Sequence, residues 1–339
     1  MVDAQVVNLE PQGGTSELSI RHAGSDYGTR GTETAMPEAG ALVQTIAEYP
    51  EYSALALEQR PVLHPRFQRL AEGMSELTSA GIYLFRQTHH YQISRMGEDL
   101  FVISGRNAEP FFMLPFGLPP RELLESLFGQ HQVMKAVSAS QAEQLSQMGY
   151  RVWEDRDNFD YLYPREKMAT LSGRALHRKK NLVNLFLRNN ACVAKPLLEE
   201  YTGDALRVLE QWRQQEMPDC PLAEPGDYAA AKEALENMEY LQLCGGIFYV
   251  NEEPVAYTLG EEVAQGRMFV LHFEKAILRK EFTGIYQYVN QAFAALLPDK
   301  YELINREQDL GDPGLHQAKE SYKPVGFVIK YRAAPQDSQ

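Results

Sequence analysis

Hydrophobic and polar positions in the second half of the chain follow helical and strand spacings in a definite order. Apolar residues at intervals of three and four positions predict helices, and alternating apolar and polar residues predict strands. The resulting order is α-α-β-β-β-α-β-α-β, over residues 202–215, 227–241, 245–263, 267–276, 283–298, 301–308, 313–322 and 326–333. Residues 245–263 supply two of these strands, as a hairpin that turns at Asn251–Glu253.

The first half of the chain also alternates strands and helices and could be a degenerate copy of the second. Its clearest element is a helix predicted over residues 171–189, where Ala175, Lys179, Leu182 and Phe186 lie on one stripe. Lys179 and Lys180 belong to a basic cluster on this helix. Such a cluster is either a solvated face or a site that neutralises phosphates, and the position of Lys179 on the stripe leaves both interpretations open.

The composition divides the chain into three parts. Residues 1–40 are rich in Gly, Ser, Thr and Glu and poor in large apolar groups, so they cannot offset the entropy of ordering. We predict a flexible N-terminal tail over residues 1–40, a first domain over 41–195 and a second domain over 196–339.

The order of elements in the second half resembles the GNAT acyltransferase fold, in which a donor that carries phosphates enters a cleft in the central sheet. This predicts an α/β (α+β) fold with mixed sheets flanked by helices. An order of elements does not fix a function, so the candidate chemistry has to come from particular residues.

Charge and cysteine content narrow the class of protein. The formal net charge is -13, which argues against a protein that coats itself with DNA, although a local basic groove is compatible with it. Three widely spaced cysteines predict neither a disulfide framework nor a metal site. No signal peptide and no run of about 18 or more apolar residues is present, so we expect a cytoplasmic protein without a transmembrane segment.

Residues 305–324 are expected to form one wall of a cleft. Asn305 and Glu307 share a strand face and should emerge at the strand's carboxyl end, where α/β sheets bind ligands. Asp312 should cap the next helix, on which Lys319 lies within the apolar stripe that also contains Tyr322. An inward lysine needs a partner, either in a structural ion pair with Glu307 or Asp309, or on a substrate.

Residues 271–287 contain the other candidate site. His272 and Glu274 occupy alternate strand positions and should face the same side, and we favour Glu274 as the general base. Arg279 and Lys280 then form a basic loop. The predicted helix cap Thr283 follows, with Gly284 and Tyr286 in the first turn. A helix N-terminus beside a glycine and two cations is an anion-binding arrangement, or alternatively a plain turn with solvated charges.

The stretches DRDNFDYLY…LSGRALHRKKNLVNLF and INREQDLGDPGLHQAKESYKP resemble an uncharacterised bacterial family. This family is related to the C-terminal domain of phosphatidylglycerol lysyltransferases, and the resemblance covers residues 60–334. It implies two tandem GNAT-like acyltransferase domains and transfer from aminoacyl-tRNA to an amine or hydroxyl. It implies no metal and no permanently bound cofactor.

Lys319 matches a lysine in a late segment of the lysyltransferase domain, whereas the second basic residue of that segment is replaced by Ser321. The multi-helix membrane domain of the true lysyltransferases is absent and the chain is acidic. A soluble acceptor is therefore expected more than a lipid.

Together these observations predict a soluble aminoacyltransferase that uses the 3′ end of aminoacyl-tRNA and a small-molecule, peptide or lipid acceptor. An acyl-CoA-dependent N-acyltransferase and a non-catalytic GNAT-like binding module are the alternatives. The predicted catalytic residues are Glu274, Lys319, Glu307 and His272. The predicted donor-binding residues are Arg279, Lys280, Thr283, Gly284, Tyr286, Lys179 and Lys180. The acceptor or cleft wall is predicted from Asn305, Asp309 and Tyr322.

Overall fold

The structure is a computed structural model that describes residues 43–218 and 226–336. The predicted tail, residues 1–40, lies outside the described residues. The described strands form two seven-stranded mixed sheets, and helices flank both.

The first sheet contains one parallel pair, β4 with β5, and its other pairs are antiparallel. Its strand order is β1 (Ser53–Ala54), β2 (Gln92–Met96), β3 (Leu100–Arg106), β4 (Pro110–Met113), β5 (Val133–Val137), β14 (Tyr331–Ala334) and β6 (Arg151–Glu154).

The second sheet also contains one parallel pair, β11 with β12. Its strand order is β13 (Gly326–Val328), β7 (Asp160–Pro164), β12 (Leu303–Asn305), β11 (Met268–Ala276), β10 (Glu253–Val263), β9 (Cys244–Val250) and β8 (Cys192–Pro196). The predicted hairpin is present, because β9 and β10 pair across Asn251 and Glu252, whose positive φ angles suit a tight hairpin turn.

The two sheets exchange strands at their boundary. The strand predicted over residues 326–333 is two strands, of which β13 joins the second sheet and β14 joins the first. Strand β7 and the first four residues of β8 lie in the second sheet although they precede residue 196. The sheets therefore do not follow the predicted division between residues 195 and 196. Lys330 lies at the crossing between β13 and β14.

The helices cover the sheets on both faces. They are α1 (Arg60–Phe67), α2 (Ser79–Leu84), α3 (Arg121–Gln130), α4 (Ala139–Gln147), α5 (Arg165–Thr170), α6 (His177–Asn189), α7 (Thr202–Glu216), α8 (Asp227–Glu236), α9 (Met238–Leu241), α10 (Ile285–Leu296) and α11 (Pro313–Glu320). Helices α6 and α10 pack together on one face of the second sheet, and α7 and α8 cover its other face. The helix predicted from residue 171 begins at His177 after a 3₁₀ turn.

A β-bulge interrupts β11 beside β10. Leu259 pairs with Phe273 and Gly260 pairs with Leu271, so His272 is an extra residue without an opposite partner on β10. A Cβ atom on Gly260 would lie 2.0 Å from the carbonyl oxygen of Val270. Only glycine therefore allows the two strands to approach this closely at the bulge.

Candidate active site

The parallel pairing of β11 and β12 is short and leaves a notch in the second sheet. It joins residues 268–270 to residues 303–305, and the next residues of both segments have no such pairing. Two ion pairs bridge this notch. His272 binds Glu307, and Glu274 binds Arg306.

The two bridges lie on opposite faces of the sheet, so the prediction that His272 and Glu274 face the same side is wrong. Glu274 accepts a hydrogen bond of 2.9 Å from Asn290 of α10, on the α10 face. His272 instead contacts Glu261. The bulge supplies the reason, because one extra residue shifts the alternation of side chains between the two faces.

His272 is an imidazolium clamped between two carboxylates. Its Nδ1 lies 2.8 Å from Glu307 and its Nε2 lies 3.1 Å from Glu261, and 2% of its side chain is exposed. Burial lowers the pKa of His272, but the hydrogen bonds and charges of Glu261 and Glu307 outweigh burial and raise it to about 10. At neutral pH both ring nitrogens therefore carry protons. His272 cannot accept a proton from an acceptor substrate, which removes it as the general base.

We expect His272→Gln to lower the free energy of unfolding by about 3–5 kcal/mol near neutral pH, because it removes the cation between the buried carboxylate of Glu261 and the partly exposed carboxylate of Glu307. The folded pKa lies above the ordinary value of 6.5. The stabilisation is therefore complete below pH 6.5 and is lost as the pH rises through about 10. Urea titrations from pH 6 to pH 10.5 should show the wild type and H272Q converging at high pH. A gap that stays constant over this range would contradict the assignment.

Glu307 is the carboxylate that faces open space. Its backbone has a φ angle of 58°, and its N–H donates a hydrogen bond of 2.7 Å to the side chain of Asn305. Its side chain is 25% exposed, and Oε1 is the oxygen held by His272. Asn305 is buried and also donates to Asp160. Asn305 thus supports the turn that presents Glu307 and does not itself form an open wall.

A cavity of about 560 Å³ lies between the two sheets, and Glu307 and His272 form part of its wall. Aromatic residues line the side of the first sheet, including Tyr91 and Phe111. The charged groups around it have both signs. They are Glu76, Lys135, Asp155, Asp227, Glu307, Lys330 and Arg332. A cavity with this lining can accept a ligand that carries an ammonium group as well as an anionic one.

Lys330 is the centre of a buried ionic network behind this cavity. Its ammonium group lies 2.7 Å from Asp160 and also binds Glu76. Ser75 donates its hydroxyl to Asp160 at 2.8 Å, and Asn305 donates its amide at 3.0 Å. Burial lowers the pKa of Lys330, but the carboxylates of Asp160 and Glu76 outweigh burial and raise it. The network joins the loop before α2, strand β7 and the crossing between the sheets.

Lys319 does not form the predicted ion pair with the carboxylate of Glu307 or Asp309. Its ammonium group donates to the backbone carbonyls of Arg306 and Glu307, the latter at 3.1 Å. Burial, followed by the charge of Arg306, lowers the pKa of Lys319 to about 8. Asp309 is occupied elsewhere, since it accepts a hydrogen bond of 2.6 Å from Tyr161. Lys319 therefore fixes the backbone turn that carries Glu307.

Two cations lie close to one aromatic ring on the α10 face of the notch. Lys179 lies 4.3 Å from the ring centre of Tyr322, and the guanidinium of Arg306 lies 5.4 Å from it. Burial and the charge of Arg306 lower the pKa of Lys179. Burial raises the pKa of Tyr322 to about 12. Lys179, predicted from its stripe position, therefore points towards the notch, whereas Lys180 is exposed.

The predicted phosphate loop is not an open anion site. Arg279 is held by both oxygens of Glu253, with one contact at 2.7 Å. Thr283 does not cap α10, because its hydroxyl donates to the carbonyl of Lys280 and the N-cap residue is Gly284. A Cβ atom on Gly284 would lie 2.4 Å from the Leu182 carbonyl oxygen, so α6 packs directly against this glycine and a larger residue would not fit there. Burial, followed by the charge of Glu274, raises the pKa of Tyr286.

Sequence reasoning missed Arg306, Glu261 and Lys330. Arg306 lies two residues after Ile304, and side chains two residues apart in extended backbone point to the same face. Because Ile304 lies in the core, Arg306 could have been expected on the core face as well. Glu261 similarly alternates with Leu259 and Val263 on β10. The sequence around Lys330 carries no such signal. By contrast, the predicted cap is present, since Asp312 accepts a hydrogen bond of 2.7 Å from the N–H of Leu315.

The chain belongs to the family described as phosphatidylglycerol lysyltransferase, C-terminal, whose model matches residues 67–334. It is 25% identical over 179 residues to the uncharacterized protein MYCGA3080 of Mycoplasmoides gallisepticum, which covers 50% of this chain. This chain spans 54% of that relative.

Solved structures share the fold. A conserved protein of unknown function from Bacteroides thetaiotaomicron has a TM-score of 0.74 and 27% identity, and the match covers 84% of this chain and 99% of that one. The C-terminal domain of a putative lysylphosphatidylglycerol synthetase from Agrobacterium fabrum has a TM-score of 0.56 and 10% identity, with coverage of 81% and 90%. FemX has a TM-score of 0.50 and 9% identity, with coverage of 85% and 98%.

The protein therefore has the mixed α/β fold that the sequence predicts, with two mixed sheets flanked by helices. Across residues 43–218 and 226–336, no helix combines the length and apolar character required to cross a membrane.

Proposed function

We propose that this protein transfers an aminoacyl group from aminoacyl-tRNA to an amine or hydroxyl of a small-molecule, peptide or lipid acceptor. One observation carries the proposal beyond family membership. The carboxylate of Glu307 opens into the cavity between the sheets, while an imidazolium on one side and two backbone anchors fix its position. An enzyme that moves a proton needs a base held in this way, at the edge of a space that a substrate can enter.

The transfer reaction explains why a fixed carboxylate is useful. The acceptor's nitrogen or oxygen forms a bond to the ester carbonyl carbon, and the bond from that carbon to the ribose oxygen of the tRNA breaks. The acceptor loses a proton and the departing ribose oxygen gains one. Glu307 takes the first proton and can return it to the leaving group, so no net proton is produced.

The remaining predicted residues receive different roles. We propose that Lys319 positions Glu307, because its ammonium group binds the backbone carbonyls of Arg306 and of Glu307 itself. Glu274 does not border the cavity and is bound to Arg306 and Asn290. We therefore propose that Glu274 positions Arg306 on the donor side and does not act as the base. Lys179 is better placed than Arg279 or Arg306 to meet the terminal phosphate of the donor, since Glu253 already neutralises Arg279 and Glu274 already pairs with Arg306.

An acyl-CoA donor is the alternative, and two observations weigh against it. The backbone of α6 packs against Gly284 at the start of α10, where a GNAT enzyme would hold the pyrophosphate, and the adjacent Arg279 is already paired. A thermal shift assay checks this alternative. We expect millimolar acetyl-CoA to leave the melting temperature unchanged.

A transfer assay tests the proposal itself. Purified protein is incubated with tRNA charged with a mixture of labelled amino acids and with a broad pool of amines, peptides and phospholipids. We expect label in an acid-stable or lipid-extractable product. If no charged tRNA loses label faster than it does without protein, the proposal is wrong. Turnover of acyl-CoA in the same pool would establish the alternative.

A further inference from the structure

The outer face of helix α6 is a continuous basic surface. Its cations all belong to exposed residues, and exposed asparagines lie between them. We define the α6 surface as Arg174, Arg178, Lys180, Asn181, Asn184 and Arg188. Arg174 lies in the 3₁₀ turn that precedes α6, and Arg178, Asn181 and Arg188 lie at i, i+3 and i+10, so these three form one stripe along about 15 Å of helix.

The sequence around this surface excludes acidic residues. Residues 167–198 contain seven of the 33 Lys and Arg of the chain and none of its 46 Asp and Glu. Among the described residues, no ion pair involves Arg174, Arg178, Lys180 or Arg188. The net negative charge of the protein repels a polyanion, whereas this one stretch of unpaired cations attracts it locally.

The surface also breaks a local rule of helix stability. Helix α6 begins without a side-chain cap and without an acidic residue in its first turn. His177, Arg178, Lys179 and Lys180 instead occupy that turn, where the helix dipole disfavours positive charge. Charges that oppose helix stability are expected where another function requires them, and an anionic partner would remove the conflict.

Lys179 connects this surface to the notch. It follows Arg178 in the first turn but points inward to Tyr322, on whose ring it meets Arg306 of the second bridge. The α6 surface therefore begins one residue away from the side chains that flank the notch. An anionic ligand bound along α6 would therefore lie next to the α10 face of the notch.

We propose that the α6 surface binds the sugar-phosphate backbone of the acceptor stem of tRNA. This inference rests on the proposed function, because it names the surface that would hold the donor. Every polar side chain of the surface donates hydrogen bonds, through guanidinium, ammonium or amide N–H groups. Phosphate oxygens only accept, so a nucleic-acid backbone matches the surface in both charge and hydrogen bonding.

Binding to a labelled RNA minihelix that ends in CCA tests this surface. The full chain, the double variant R178E/K180E and the control R121E/K232E are compared by fluorescence anisotropy between about 50 and 200 mM salt. The control reverses two exposed cations on α3 and α8. We expect R178E/K180E to weaken binding at least about tenfold and to reduce the slope of log Kd against log salt by about 2. The control should bind like the wild type.

Two results would overturn the proposal. One is minihelix binding by R178E/K180E with the wild-type affinity and salt slope, and the other is no binding by the wild type. A third arm uses vesicles of phosphatidylglycerol and phosphatidylcholine. If R178E/K180E loses vesicle binding while minihelix binding is unchanged, the surface serves a membrane and the proposal is wrong.

The failure of this inference can be separated from the failure of the proposed function. Transfer from charged tRNA with the same KM in R178E/K180E as in the wild type would leave the activity standing and remove the α6 surface. Minihelix binding that depends on α6, without transfer to any acceptor, would leave the surface standing and remove the activity.

Discussion

Glu307→Gln should lower the rate of aminoacyl transfer about 10²–10⁴-fold, because glutamine keeps the shape of the side chain but cannot take a proton. The loss should fall on kcat more than on KM for charged tRNA, since Glu307 acts on the acceptor's proton and does not hold the donor. Single-turnover transfer from charged tRNA measures the effect.

The control for this variant is Glu302→Gln. Glu302 is exposed, lies five residues earlier and directly precedes β12, and touches neither His272 nor the cavity. E302Q should transfer at the wild-type rate. If E307Q also transferred at that rate while remaining folded, Glu307 would not be the base, and the role would return to Glu274, the residue favoured from sequence.

Lys330→Met should lower the free energy of unfolding by about 3–5 kcal/mol. Methionine leaves the buried carboxylate of Asp160 and the partly buried carboxylate of Glu76 side by side without their cation. Burial already raises the pKa of Glu76, with Asp160 adding to the effect, so the variant should regain stability as the pH falls. Urea denaturation at pH 7 and at pH 5 measures both effects.

Lys323→Met is the matched control for K330M, because Lys323 is exposed seven residues earlier. It should change the free energy of unfolding by less than about 0.5 kcal/mol. Adding Asp160→Asn to K330M should recover part of the loss, since a buried charge is then removed together with its partner. A K330M protein as stable as K323M would show that the network contributes nothing to the junction of the sheets.

Local patterns in the sequence predicted most of the helices and strands in the second half of the chain. The apolar stripe of α10 is buried at Ile285, Val289, Ala292 and Phe293, and the turn between β9 and β10 falls at the expected residues. These features depend on residues that are close in sequence, where periodicity and capping report directly on structure.

The remainder of the fold depends on contacts between distant residues. Nothing in residues 326–333 reveals that one half pairs with β7 and the other with β5 and β6, because both halves have strand character. Their division between two sheets is fixed by long-range pairing, which local propensity does not encode.

The site was predicted in outline and misplaced in detail. Residues 271–274 and 305–307, which the sequence presents as two separate candidate sites, meet at one notch. A single bulge at His272 then separated two residues that strict alternation would have kept together. The partner of Lys319 was also missed, because backbone carbonyls leave no trace in the identity of neighbouring residues.

The central claim is that Glu307 drives aminoacyl transfer from tRNA, and a single-turnover comparison tests it most directly. Charged, labelled tRNA is mixed with an excess of wild type or E307Q and with the acceptor found in the transfer assay, and loss of the ester is followed with product. We predict that product appears with the wild type as ester disappears, and that E307Q slows both at least about 100-fold. Equal rates in the two proteins, or ester loss at the rate of tRNA without protein, would contradict the claim.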